Sequence, residues 1–424
     1  MKMRRILLGA GLSVLGLAAL ASCDSNEANT ITYTDASGNE QTMKVTTTDD
    51  SDKAVEVLDA VSQSYDAEKV AANYTDVTSV KFGIAANINA GVKHTIEESE
   101  FSETENYSAK GSFDFETIVD FANNAASITA DLDANVKIYD KYVDSTDSSN
   151  NEETSLDLTA DVATNAYYDQ SGVYLDASID VDGLPTTGEF AQYSAALASV
   201  SDVKYMLPTA TLTGLVGGLL ASMEAEVTED QIANYLNLNQ YASMLPSIPA
   251  MLSEGLDEII PSDATALAEF KETAEEYGLS ISATTADTIT FQISTSIADI
   301  TNEEIEEASE ELGSSVANPF AKYTTPITFS LTFNTKYYLP TSLKVDASKA
   351  ISALNGKKIV VDEETNETIT LSGSKLSFEA KLELGSEKAK TLTDTEKANY
   401  TDMSQALEAL MQSMMQDMMG EQLR

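Results

Sequence analysis

The sequence is 424 residues long and carries 69 acidic side chains against 25 basic ones, for a formal net charge of −44. The phosphates of nucleic acids repel a chain this acidic, so nucleic acid is excluded as a partner. Apolar residues make up 42% of the sequence, which is enough for a hydrophobic core and argues against a disordered chain. The single cysteine, Cys23, excludes an intramolecular disulfide and a thiolate metal cluster.

The N-terminus has the anatomy of a secretory signal peptide. Lys2, Arg4 and Arg5 precede an apolar run over residues 6–20, which is shorter than the roughly 20 apolar residues that a membrane span needs. The segment ends in Leu20-Ala21-Ser22-Cys23, which resembles the lipobox of bacterial lipoproteins. The resemblance implies that residues 1–22 are removed, that Cys23 is lipidated, and that the lipid anchors the chain at the extracytoplasmic face of a cell membrane.

Residues 23–49 are interpreted as a lipidated tether followed by a small hairpin with a turn around Gly38. A helix is predicted over 51–65, because Val57 and Val61 lie on one helical face. The main domain is expected to begin with this helix, at residue 50, and to extend to residue 392.

From residue 80 onward, apolar residues occupy alternate positions, which is the pattern of a strand with one dry face. The pattern recurs in five successive runs joined by short loops, of which the one at 143–154 is longer and acidic. These runs predict an antiparallel meander with one buried face and one wet face. The first run is Val80, Phe82, Ile84, Ala86, Ile88, Ala90 and Val92, and the others cover 107–115, 126–138, 156–168 and 173–181.

Residues 189–277 are apolar without this alternation and are punctuated by prolines, so they are predicted to be a helical insert that covers the sheet. Strands return from residue 279 onward. Because the strands form two groups separated by helices, the sequence favours an α+β fold built on a large curved antiparallel sheet, with helices on its apolar face. Solute-binding lipoproteins with βαβ units are disfavoured for the same reason.

Several of these features together resemble the LolA-like and LppX-like bacterial lipoproteins. They are the lipobox, the helix at 51–65 before a long strand, the hairpin sequence at 167–174, the central helices, and the passage at 338–344 before a late strand. The resemblance covers most of residues 50–390 and is architectural. It implies that a lipid or lipoprotein acyl chain binds between sheet and helices, and it supplies no catalytic residues.

A gap between the sheet and its helical cover would be apolar and able to accept an acyl chain. The residues predicted to line it are Phe82, Ile84, Phe113, Phe115, Leu132, Leu215, Leu219 and Met251. The function expected from the sequence is therefore a non-catalytic, membrane-anchored binding or carrier protein for a lipid or other apolar ligand. Two alternatives stay open, namely a surface structural or adhesion-type lipoprotein without a ligand, and a hydrolase that uses carboxylates.

The sequence indicates no cofactor, metal site or catalytic group. The lone histidine, His94, is expected to be an exposed surface residue, and the acidic loop at 143–154 lacks the calcium-binding spacing of an EF-hand. Residues 393–424 are predicted to form a Met-rich amphipathic helix, which is a candidate surface for a protein partner.

Overall fold

A computed structural model describes residues 29–34, 38–184, 202–222, 228–249, 271–302, 305, 317–362 and 365–405, and the structural statements below concern these residues. The predicted lipidation site Cys23, the predicted lining residue Met251 and the Met-rich segment from residue 406 onward lie outside them.

The described chain is a mixed α+β protein dominated by antiparallel strands, in agreement with the fold class predicted from the sequence. A first hairpin pairs β1 (Thr30–Thr34) with β2 (Glu40–Lys44). The other described strands are β3 (Ser79–Glu97), β4 (Phe101–Asp120), β5 (Ala125–Asp144), β6 (Glu152–Asp169), β7 (Gly172–Asp182), β8 (Val203–Pro208), β9 (Ser280–Thr284), β10 (Thr288–Ser296), β11 (Pro326–Asn334), β12 (Leu339–Asp346), β13 (Lys357–Asp362), β14 (Glu367–Gly385) and β15 (Thr401–Asp402).

These strands form one sheet in the order β15-β8-β7-β6-β5-β4-β3-β14-β12-β11-β10-β9, with β13 paired to β14. Neighbours are antiparallel except β15, which is parallel to β8. The described helices are α1 (Ser51–Gln63), α2 (Ala67–Asn73), α3 (Thr209–Ser222), α4 (Glu229–Tyr235), α5 (Ser348–Leu354) and α6 (Asp394–Lys397), with 3-10 segments at Ser148–Asn150 and Leu238–Ser247. Residues 271–276 and 297–302 are also helical.

The register confirms the predicted meander of β3 to β7. Ile84 on β3 lies opposite Phe115 on β4, and Phe115 lies opposite Ala130 on β5. The alternating apolar residues of all five runs therefore share one face of the sheet, which we call the apolar face, and the other face is called the polar face. The strands β3, β4, β5, β6 and β14 have 18 to 20 residues each, so each is roughly 60 Å long.

The main buried cluster lies at one end of these long strands, near Ser79, Asp120 and Gly385, which we call the proximal end. The end near Glu97 and Glu367 is the distal end. At the proximal end α1, α2 and the Leu238–Ser247 segment pack on the apolar face. The fully buried members of this cluster include Val45, Val55, Ile281, Ile289 and Leu339.

Helix α1 is fixed at both of its ends. The side chain of its N-cap, Asp50, accepts a hydrogen bond from the backbone N–H of Lys53 at 3.3 Å. At its C-terminus, the Tyr338 hydroxyl donates to the carbonyl of Val61 at 2.8 Å. These contacts satisfy groups that a helix end leaves without partners, and the second ties the helix to the residue just before β12.

Two expectations about helices need correction. Residues 203–208 of the predicted helical insert form β8, because Val203, Tyr205 and Leu207 alternate with Lys204 and pair with β7. The predicted C-terminal helix does not run on from residue 394. Helix α6 ends at Lys397, and β15 follows it.

Residues 386–402, which we call the strap, follow β14 and pack across the polar face near the proximal end. Ala389 is buried with Ile118 and Ala125, and Leu392 is buried with Tyr167 and Tyr174. The strap ends in β15, so its position is held both by side chains and by backbone pairing to β8.

A lysine–aspartate pair fastens the strap to the end of β6. Lys397 Nζ lies 2.7 Å from Asp169 Oδ2, with the two side chains 22% and 19% exposed. Burial opposes the charge on Asp169, but hydrogen bonds from Lys397 and Ser171 outweigh it and lower the pKa of that carboxyl. The pair therefore stabilises the fold above the ordinary pKa of an aspartate, and the contribution is lost as the pH falls through the lowered value.

The first prediction concerns this pair. Lys397→Met keeps the apolar stem but leaves the largely buried Asp169 carboxylate without its cation, so we expect the free energy of unfolding to fall by about 1–3 kcal/mol. Lys69→Met is the matched control, since the Lys69–Asp66 pair is exposed and should change stability little. Denaturant unfolding curves measure both variants, and equal effects would contradict the role given to Lys397.

The second prediction concerns a bulge in β14, where the pairing with β3 shifts register between Gly373 and Lys375. Gly373 has a φ of +139°, and a Cβ there would meet the Asn89 carbonyl oxygen and lie 2.8 Å from the Ala90 Cα. Gly373→Ala should therefore destabilise the protein by about 1–3 kcal/mol. In the same strand a Cβ at Gly385 meets nothing within 4 Å, so Gly385→Ala is the control, and thermal unfolding separates the two.

Candidate functional site

The candidate site is the part of the apolar face of the long strands that lies beyond the main buried cluster. Opposite residues form rows that cross five strands, and two successive rows read Phe378-Ala86-Phe113-Leu132-Val162 and Leu376-Ile88-Gly111-Ala134-Ala160. The next two read Gly373-Ala90-Ala109-Val136-Leu158 and Leu371-Val92-Tyr107-Ile138-Leu156. The surface is therefore continuous and apolar from β14 to β6.

Small side chains follow a diagonal line across this surface. Larger residues border them on both sides, with Phe113 and Leu132 toward the proximal end and Val92 and Tyr107 toward the distal end. Because a methyl group or hydrogen rises less from the sheet than an aromatic ring, the line is a low path, which we call the diagonal groove. Its floor consists of Ala90, Ala109, Gly111, Ala134 and Ala160.

Among the residues that the structure describes, this face is only partly covered. Seven of its large apolar side chains are 36% to 43% exposed, although soluble proteins rarely expose contiguous apolar surface without a function. Ile88 and Leu376 lie directly opposite each other, as do Val92 and Tyr107. The seven are Ile88, Val92, Tyr107, Ile128, Leu175, Leu376 and Phe378.

Five of the predicted lining residues come together on this face. Phe82 and Ile84 pack against the edge of the main buried cluster, and the rings of Phe82 and Phe115 meet edge to face at 6.0 Å. Phe113 and Leu132 lie opposite each other on β4 and β5, farther from the core. All five are half-buried, so they connect the covered and open parts of the face.

The predicted contribution of the helical insert differs from the observed one. Leu215 lies on α3, which packs against β7, β8 and α4, so it is beside the edge strands and not above Phe113. The side chain of Leu219, like Met251, is outside the described residues. Among the described residues of the insert, the Leu238–Ser247 segment and Ala274 pack in the main buried cluster at the proximal end.

The distal end of the apolar face carries a group that the sequence analysis missed. His94 continues the even-numbered apolar positions of β3, is half-buried, and hydrogen-bonds Glu105 and Glu367. It is thus not the exposed surface residue expected. The sequence did indicate the face of His94, because position 94 continues the even-numbered apolar positions of β3. It did not indicate the partner, because Glu367 lies 273 residues away and no local pattern identifies it.

The polar face has a different character. An open depression of ≈ 370 Å³ lies over Gly83 and Ala85 and is bordered by Asp114, Asp131 and Lys381 among others. Asp114 and Asp131 are directly opposed across β4 and β5 and both are exposed. Opposed like charges repel each other, and these two lie on an open sheet surface where water screens them.

In the acidic loop at 143–154, hydrogen bonds within the loop satisfy two carboxylates, those of Asp144 and Asp147. Asp144 accepts hydrogen bonds from Asn150 Nδ2 at 2.9 Å and from Thr146 and Asp147, and these bonds hold the pKa of its carboxyl well below the usual range. In the part of the chain that the structure describes, no group of three or more His, Cys, Asp or Glu side chains is placed to hold a metal ion.

Comparisons with protein-family models, with curated proteins and with solved structures find no match to this chain. Among the described residues no helix combines the length and the apolar character that crossing a membrane requires. The function of the chain is therefore inferred from the sequence motif at Cys23 and from the geometry of the sheet.

Proposed function

We propose that the chain is a lipoprotein, anchored through lipid on Cys23 at the extracytoplasmic face of a membrane, and that it binds a lipid or other apolar ligand on the apolar face of its sheet. The observation that carries the ligand part is the row of half-exposed apolar side chains on the long strands. The anchor part is supported by the lipobox-like sequence that ends in Cys23.

The energetics favour a chain-like ligand. Burying one methylene group contributes about 0.8 kcal/mol, so an acyl chain that covers part of this face gains several kcal/mol before the costs of ordering are subtracted. The diagonal groove is the part of the face where such a chain approaches the sheet most closely, because its floor residues are Ala and Gly. A chain lying there would cover Ile88, Val92 and Tyr107 on its borders.

The architecture supports a likeness to the LolA-like and LppX-like lipoproteins at the level of a large antiparallel sheet with helices on its apolar face. In this chain α1, α2 and the Leu238–Ser247 segment cover the proximal part of that face, and α5 packs beside β14, whereas Ile88, Val92 and Tyr107 stay exposed. We propose that the ligand occupies the more distal part. The rival proposal, a structural or adhesion-type lipoprotein without a ligand, requires the same surface to stay empty of lipid.

The third prediction tests the ligand site. In the double variant Ile88→Gln and Leu376→Gln, two opposed apolar side chains become polar, so affinity for a dansyl-labelled undecanoic acid should fall on the order of tenfold or more. Val360→Gln is the matched control, since Val360 is a 49% exposed apolar residue on β13 that pairs with Thr368, on the polar face. Fluorescence titration measures affinity, and thermal unfolding verifies that the variants fold.

A second variant distinguishes binding in the diagonal groove from nonspecific binding to the apolar face. Ala134→Phe adds apolar area but raises the floor of the groove. If the acyl chain lies in the groove, binding weakens; if the face attracts apolar molecules without a defined position, binding stays equal or strengthens. Absence of binding by the unaltered protein, together with no lipid in an organic extract of it, would favour the ligand-free alternative.

The fourth prediction tests the anchor. Cys23→Ala removes the thiol to which the lipid would be attached, so metabolic labelling with a radioactive fatty acid should fail and the protein should leave the membrane fraction. Ser22→Ala is the control, because it keeps the thiol and a small residue before it. A Cys23→Ala variant that is still acylated, or that sediments with membranes after a high-salt wash, would refute the anchor.

A further inference from the structure

His94, the only histidine of the sequence, lies near the distal end of the sheet. On the apolar face it is opposite Glu105 on β4 and Ile369 on β14. Its Nδ1 lies 3.2 Å from Glu105 Oε2, and its Nε2 lies 2.9 Å from Glu367 Oε1. One imidazole ring therefore bridges three neighbouring strands through both of its nitrogens.

The two protonation states of the ring fit this position differently. An imidazolium donates from both nitrogens, whereas a neutral imidazole donates from one and presents a lone pair at the other. Because both neighbours are carboxylates, only the charged ring satisfies both of them. In the neutral state one of Glu105 and Glu367 would face a lone pair, and both carboxylates would lose their cation.

The surroundings add negative charge. On β4, Tyr107 donates a hydrogen bond to Glu105 Oε1 at 3.2 Å, and Glu103 lies one row farther out. On β5, Asp140 lies directly opposite Glu105. On β13, Asp362 is opposite Glu367, and Lys357 is opposite Leu371 one row inward. The imidazolium is thus the positive charge placed between the carboxylates of β4 and β14.

We propose that His94, Glu105 and Glu367 form a proton-controlled clasp, which fastens the distal ends of β4, β3 and β14 together while His94 is protonated and releases them when it loses its proton. The proposal concerns the sheet itself and does not depend on the ligand or the anchor. The distal ends are the place for such an effect, because they lie beyond the main buried cluster, whose packing holds the proximal ends.

The direction of the pH dependence follows from the contacts. The hydrogen bond to Glu367 is the largest cause that raises the pKa of His94, the bond to Glu105 adds to it, and partial burial opposes both. The folded pKa therefore exceeds that of an unfolded histidine, about 6.5. The stability from the clasp is fully present below the unfolded value and is lost as the pH rises through the folded value.

The ring can be observed directly, because a single histidine gives a single imidazole Hε1 signal in the proton spectrum of the full chain. We expect its titration to give a pKa above 6.5, and Glu367→Gln and Glu105→Gln should each lower it. Glu97→Gln is the matched control, since Glu97 is an acidic residue at the same end of β3 on the polar face, and it should leave the titration unchanged. A pKa at or below 6.5, or an equal shift in all three variants, overturns the proposal.

Hydrogen exchange tests the release of the strands. Backbone amides of residues 92–97, 103–107 and 367–371, corrected for intrinsic rates, should lose protection roughly tenfold as the pH rises through the His94 titration, while amides of the proximal ends do not. In His94→Gln, which can keep a hydrogen bond but carries no charge, distal protection should be low at every pH. If the unaltered protein and His94→Gln show the same pH dependence, there is no clasp.

Discussion

The unbroken register from β3 to β6 is the constraint on which the other features depend. Side chains alternate between faces with a period of two, so a slip by one residue would exchange the two faces entirely. Over eighteen or more residues of β3, β4 and β5, from Ser79 to the distal end, alternate side chains stay on the same face without a shift in register. The core contacts of Phe82, the open surface at Ile88 and the pairing of His94 with Glu105 are all consequences of that register, since the three residues occupy even positions of one strand.

The two faces are covered by different means and to different extents. On the apolar face, α1 and α2 bring a cluster of aliphatic side chains to the proximal end, and their cover stops before Ile88. On the polar face, the strap needs only a few buried contacts, and the Lys397–Asp169 pair completes them. The strap can be narrow because the polar face tolerates water. The apolar face cannot be left open without cost, which is why its uncovered part is the better candidate for a ligand.

Local sequence patterns were sufficient to predict much of this architecture. The alternation over 80–92 and the four later runs predicted the meander and its shared apolar face, and five proposed lining residues lie together as expected. Strand β8 was missed because it is short and merges with the apolar sequence of α3. The pairing of β14 with β3 and the contact of His94 with Glu367 join residues more than 270 positions apart. A periodic pattern shows which residues of a strand share a face, but it does not show which strand lies beside it.

The apolar face changes character along one strand, and that change limits how a ligand can lie on it. Val80 is packed in the core, Ile88 is open, and His94 sits among Glu105, Glu103 and Asp140. An anionic headgroup placed about 4 Å from one of those carboxylates meets a repulsion of about 1 kcal/mol in water and about 4 kcal/mol at an effective dielectric constant near 20. Several such carboxylates surround a single imidazolium, so the distal end repels anions overall. A fatty acid in the diagonal groove would therefore direct its carboxylate away from the distal end, whereas a neutral or cationic headgroup meets no such barrier.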